Sequence, residues 1–204
     1  MTFKFKRTRR VGVAAAIALS VTLVAAGCAN SGDAGAGSGE GDAANLTITM
    51  LPKNLGNPYF DTSTKGAKAA TEEFGGKFEQ VGPTEASPTA QVQYIQTAAQ
   101  QGVGGLIVSA NDPAALCDAL ADARSAGVKV VTFDSDTNPE CRDLFVNQAT
   151  AEGIAKVQVD LITEQIGSKG KIAILSSTPN ATNQNAWIEI MKEELKAYPE
   201  VELV

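Results

Sequence analysis

The chain has 204 residues, with 17 lysines and arginines against 23 aspartates and glutamates, a net charge of −6, and no histidine. An acidic balance repels phosphate backbones and supplies no basic helix to grip anionic lipid, which excludes a nucleic-acid-binding role. Three cysteines without a histidine also leave no ligand set for a metal.

The first ten residues carry Lys4, Lys6, Arg7, Arg9 and Arg10 and no acid, and an apolar run from Val11 to Ala26 follows. That run is shorter than the roughly 20 apolar residues of a bilayer span and ends on small residues, so residues 1–27 read as an export signal peptide. Val11, Gly12 and Val13 do not fit a twin-arginine signal after Arg9 and Arg10, which favours the general export route. The string VAAGC, ending at Cys28, resembles the lipobox of bacterial lipoproteins, with Ala25 where that family prefers leucine. The resemblance implies cleavage before Cys28, a lipid on its thiol, and a tether to the outer face of the cell membrane. Cleavage after Ala26 without lipidation is the alternative. Removal of residues 1–27 leaves 12 basic against 23 acidic residues, a net charge of −11. Residues 28–44 then read as the lipidated cysteine followed by a small, polar, glycine-rich linker with nothing to bury.

From Asn45 onward, short apolar runs alternate with amphipathic stretches, the signature of strand–helix units around a parallel sheet. Strands are expected at Leu46–Leu51, Phe78–Val81, Val103–Ser109, Val128–Phe133, Leu144–Asn147, Lys171–Ser176 and Val201–Val204. Helices are expected at Pro58–Phe74, Thr89–Gln100, Pro113–Ala126, Ala151–Ile166 and Asn183–Ala197. Pro58, Pro88 and Pro113 fall where a first helical turn tolerates a missing N–H, and Gly75, Gly102, Gly127 and Gly167 fall where helices stop. Residues 45–148 suffice for one compact lobe with its own core. Residues 149–204 read as the start of a second lobe, because a two-stranded sheet is not independently stable. The natural product is therefore expected to continue past Val204.

Cys117 and Cys141 form an even pair in an oxidising setting, and a disulfide between them would close 23 intervening residues. Such a bridge stabilises by roughly 3 kcal/mol on the loop-entropy estimate. A buried pair of free thiols is the competing reading.

Ligands of an open parallel sheet bind beyond the carboxyl ends of its strands. The residues following the expected strands are polar and rich in amides and carboxylates: Lys53, Asn111 and Asp112, Asp134 to Asp136, Asn147 and Gln148, and Ser176 to Gln184. Such groups hydrogen-bond hydroxyls, and Tyr59 or Phe60 would lie against the apolar face of a sugar. The plainer readings are a core role for Tyr59 and Phe60, a solvated loop for Lys53, packing for Trp187, and a helix N-cap for Asp112. The string VVTFDSDT also resembles the first motif of haloacid-dehalogenase-like phosphatases, with Asp134 as nucleophile and Asp136 as general acid. Against that reading, the motif lies on the fourth strand rather than the first, and no downstream lysine and acidic pair accompanies it.

Five strings, PKNLGNPYF (52–60), VGPTEAS (81–87), LIVSANDP (106–113), DSDTNPECR (134–142) and NATNQNAW (180–187), together resemble the periplasmic sugar-binding proteins of ABC importers. The resemblance lies with the branch holding the rhamnose-binding and autoinducer-2-binding receptors, and runs from about Leu46 to the end. It implies an α/β protein of two lobes, each a parallel sheet flanked by helices, that closes on a small hydroxylated solute and then docks on a membrane permease. It implies a monomer, no catalysis and no cofactor. The ligand lysine of the autoinducer-2 receptors falls on Lys53 and their aspartate on Asp134. Their Asp–Gln pair falls on Asn183 and Gln184, so an amide stands where they carry a carboxylate. ATNQN is similar to the rhamnose-binding side and DSDTNPEC to the autoinducer-2 side, with rhamnose slightly ahead. The expected ligand-binding set is Lys53, Tyr59, Phe60, Asn111, Asp134, Asp136, Asn147, Gln148, Asn183 and Gln184.

Overall fold

The computed structural model describes residues 46–204. The expected signal peptide, the lipidation of Cys28 and the linker lie outside the described residues. The chain alternates strands and helices: β1 (Thr47–Leu51), α1 (Pro58–Glu73), β2 (Lys77–Gln80), α2 (Pro88–Gln101), β3 (Gly105–Val108), α3 (Cys117–Ser125), β4 (Lys129–Phe133), β5 (Leu144–Val146), α4 (Ala151–Gln165), β6 (Gly170–Ile172), α5 (Thr182–Glu194) and β7 (Val201–Leu203). Single 3-10 turns occupy Pro139–Cys141 and Leu195–Ala197. All strand pairing is parallel, in a five-stranded sheet of order β2-β1-β3-β4-β5 and a separate pair β6-β7.

Local chemistry places the helix starts. Asn57 and Ser87 accept N–H groups of the first turns of α1 and α2, with a proline next in each chain, and Thr150 does the same for α4. Gly102 ends α2 at φ 66 and Gly127 turns the chain into β4 at φ 95, conformations that a Cβ would strain. The expected helix at Pro113 begins later, at Cys117. The Pro113 carbonyl accepts the Asn138 N–H at 2.9 Å, while Cys117 N–H turns to Ala114 at 3.0 Å, so the first helical turn is not closed. The strand expected at Lys171–Ser176 ends at Ile172, because β7 is its only partner among the described residues and the ladder finishes with Val204 N–H on the Ile172 carbonyl.

Residue alternation divides the five-stranded sheet into two faces. Leu51, Leu106, Val108 and Val130 join Ile95 and Ala98 of α2 and Leu120 and Ala123 of α3 in the main core. The other face carries Ile48, Met50, Ile107 and Val131 under α1. Leu144 and Val146, in register with Val131 and Phe133 on that face, remain exposed. A smaller core of Ala155, Val159, Met191 and Leu195 joins α4 to α5 beside β6 and β7.

Candidate functional site

The order 2-1-3-4-5 has its topological switch between β1 and β3, where successive helices take opposite faces and a crevice opens beyond the strand ends. Lys53 follows β1, Ser109 to Asn111 follow β3, and Asp134 follows β4. The first two of these loops are fixed from below by Gln91, a fully buried residue of α2. Its amide donates to the carbonyls of Pro52 (3.1 Å) and Ser109 (2.8 Å), and its Oε1 accepts the Asn111 N–H at 3.0 Å. Asn111, itself buried, donates from Nδ2 to the Lys53 carbonyl at 2.9 Å. The expected ligand amide Asn111 thus braces the Lys53 loop instead of facing the crevice.

Asp134 stands at φ 58, a left-handed conformation that carbon-branched side chains rarely adopt, with the Ser135 N–H bonded back to the Phe133 carbonyl at 2.6 Å. This turn points its carboxylate at the crevice. Oδ2 accepts the Ser109 hydroxyl at 2.7 Å and lies 3.7 Å from Lys53 Nζ, while Oδ1 accepts Asn183 Nδ2 at 3.1 Å. Asn183 Oδ1 in turn accepts Lys53 Nζ at 3.1 Å. An ammonium and a carboxylate, both buried, and a half-buried amide therefore satisfy one another in a triangle. Burial pushes the Lys53 ammonium below its usual range, and the Asp134 charge opposes that shift. Burial first and the Asp134 charge second push the Tyr59 phenol up to about 12, so it stays a hydrogen-bond donor at physiological pH.

These groups line a cavity of about 220 Å³ together with Tyr59, Phe60, Gln184 and Trp187. The volume lies below the range of about 300–1,000 Å³ usual for drug-sized molecules, which suits a smaller ligand. Phe60 serves both readings made of it. Its ring packs edge-on against Phe133, centroids 6.0 Å apart, and still borders the cavity, whereas Tyr59 is 46% exposed at the rim. Gln184 is held through its Oε1, which accepts the Ser176 hydroxyl (2.8 Å) and the Ser177 N–H (2.7 Å), so its Nε2 amide group is the end turned to other partners. Trp187, read from sequence as packing, does pack on the small core and also lines this cavity and the next. Its place four residues after Asn183 on one helix face was the signal.

The neighbouring cavity, about 150 Å³, holds the expected residues Asn147 and Gln148, both exposed, with Asp136 and Phe145. Asp136 is already engaged. Arg142 clamps it with Nε at 2.9 Å and NH2 at 2.8 Å, and it also accepts the Thr132 hydroxyl and the Thr137 N–H. The carboxylate that a phosphatase would need as a general acid is thus neutralised by a bidentate guanidinium. Cys117 and Cys141 are joined, with Cα atoms 5.1 Å apart, and tie α3 to the turn that follows this loop.

Comparison with known proteins agrees with this geometry. Residues 48–204 match the family described as periplasmic binding protein domain. A D-ribose/D-allose-binding protein from Pseudomonas aeruginosa is 28% identical over 155 residues, which cover 68% of this chain and 47% of the relative. A solute-binding protein of an ABC transporter from Clostridium phytofermentas, solved with bound L-rhamnose, is 38% identical with a TM-score of 0.75, covering 78% of this chain and 50% of that one. LsrB from Clostridium saccharobutylicum, solved with AI-2, is 33% identical with a TM-score of 0.71, covering 77% and 51%. A sugar ABC transporter protein from Actinomyces odontolyticus is 48% identical with a TM-score of 0.60, covering 78% and 52%. The chain spans about half the length of these relatives. It belongs to the periplasmic binding protein family.

Proposed function

We propose that this chain belongs to an extracytoplasmic solute-binding lipoprotein of an ABC importer, tethered through Cys28, that takes a small hydroxylated solute and delivers it to a membrane permease. The ligand is rhamnose or a related monosaccharide, with autoinducer-2 as the other member of the class. The observation that carries this reading is the triangle of Lys53, Asp134 and Asn183 at the mouth of a small, aromatic-sided cavity. A hydroxyl donates to a carboxylate and accepts from an ammonium, so a polyol satisfies Asp134 and Lys53 together. Tyr59, Phe60 and Trp187 offer ring faces to its C–H side. Asn183 replaces a charged acceptor with a group that both donates and accepts, a change worth about 1–3 kcal/mol at a buried site and one that favours a neutral ligand. Residues 45–148 form the first ligand-binding lobe in this reading, residues 149–204 begin the second, and the receptor works as a monomer that closes around its ligand.

Calorimetric titration with rhamnose, ribose, galactose and autoinducer-2 tests the proposal. Binding of at least one is expected, and silence across the panel would count against it. Asp134→Ala is expected to abolish binding with an unchanged circular dichroism spectrum, and unaltered affinity would remove Asp134 from the site.

A further inference from the structure

Asn180, Thr182 and Asn183 carry side-chain hydrogen bonds from the start of α5 to the loops of the five-stranded sheet. Those of Asn183 go to Lys53 and Asp134, the groups that a polyol would occupy, so a ligand competes with them. Asn180 differs. Its Nδ2 donates to Asp112 Oδ2 at 3.0 Å across 68 residues of sequence, and neither residue lines the two cavities of the site. A ligand leaves this contact intact.

Asp112 is prepared for the contact. Its Oδ1 accepts the N–H groups of Ala114 (2.9 Å) and Ala115 (2.8 Å), closing a turn ahead of α3, whose N-cap is Leu116 and not Asp112 as expected from sequence. Those bonds, the Ala115 N–H foremost, hold its carboxyl below the usual range, so it is ionised at neutral pH. A carboxylate pinned through one oxygen has already lost its rotamer freedom, and little further entropy is lost when the other oxygen takes Asn180.

We infer that Asp112 and Asn180 form a clasp across the cleft that favours the closed state without touching the ligand, and so scales apparent affinity for every ligand alike. The inference rests on the binding role proposed above, since affinity for a ligand of the closed state is reduced by the fraction of molecules that are closed. An exposed, charge-assisted pair of this kind corresponds to about a three- to five-fold change in affinity.

Reversal of the pair tests the clasp. Asp112→Asn keeps the Oδ1 bonds to the turn and replaces the charge-assisted contact with a neutral one that the Asn180 amide meets by turning over, and Asn180→Asp sets two carboxylates face to face. The double variant D112N/N180D restores a donor and an acceptor with opposite polarity. Two readouts are taken on the full chain: calorimetric affinity for the sugar and autoinducer-2 panel, and ligand-free hydrogen exchange of the amides of residues 181–185. Asn180→Asp should weaken affinity about three- to five-fold and speed exchange, Asp112→Asn should do both to a smaller extent, and the double variant should return within about two-fold of the parent. A double variant no better than its worse single parent, or singles indistinguishable from the parent in exchange, would overturn the clasp. A silent ligand panel with intact coupling in exchange would overturn the binding role and leave the clasp standing.

Discussion

Lys53 and Ser109 sit on loops whose backbone is tied to a fully buried glutamine above a core of 14 buried residues, and the Asp134 loop is tied to them through the Ala110 N–H, whereas Asn183 and Gln184 sit on a helix whose core has four among the described residues. One half of the site is therefore fixed by what lies beneath it. The other half rests on the smaller core that α5 shares with α4, and its Asn183 is also bonded across to Lys53 and Asp134. Preorganised groups lose little entropy on binding, while groups set by a cross-cleft contact move with closure.

The largest test of this contrast is Gln91→Leu. Leucine fills the space but leaves two buried carbonyls and one N–H without partners, at a cost of about 4 kcal/mol, read by urea unfolding. A loss below about 1 kcal/mol would mean that the loops are held elsewhere. Replacement of both Cys117 and Cys141 by serine releases a bridge spanning a sequence separation of 24, and should cost about 3 kcal/mol by the loop-entropy estimate. Met191→Ala in the small core should cost about 2 kcal/mol, at the low end for such truncations, and less than Leu120→Ala in the large one. Equal losses would erase the difference between the two cores. The smallest effect is acid sensitivity. Asp143, held below the usual carboxylate range by the Val130 N–H and then Arg124, and Asp112, held down by the Ala115 N–H, both have folded values lower than unfolded ones. Their contribution is complete above about pH 4 and lost as pH falls through the folded values. The melting temperature should therefore decline below about pH 4, and Asp143→Asn should flatten that decline.

The alternation of strands and helices was readable because each element carries its own period and its own stop: Pro58 after Asn57, Pro88 after Ser87, Gly102 and Gly127 at the ends. Lys53, Asp134 and Asn183 were readable because a resemblance joined their three strings. Asn111 and Asp136 were read as ligand contacts from the same kind of position, and the structure gives them other partners, Lys53's backbone and Arg142. A polar residue after a strand looks alike in sequence whether it turns toward a crevice or down to brace a loop. Gln91 had a signal that was not used, a polar side chain on the stripe shared with Ile95 and Ala98. Its three partners, Pro52, Ser109 and Asn111, between 18 and 39 residues away, had none.

The sequence by itself determined the class of fold and the side of the sheet on which a ligand would lie, since both follow from local periodicity and from the polarity of strand ends. Tertiary structure alone decided which polar groups meet. The bonds of the Asp134 carboxylate to Ser109 and Asn183, the Gln91 brace and the reach of Asn180 to Asp112 each depend on loops far apart in the chain arriving within hydrogen-bond distance, and hydrogen bonds act only at that range.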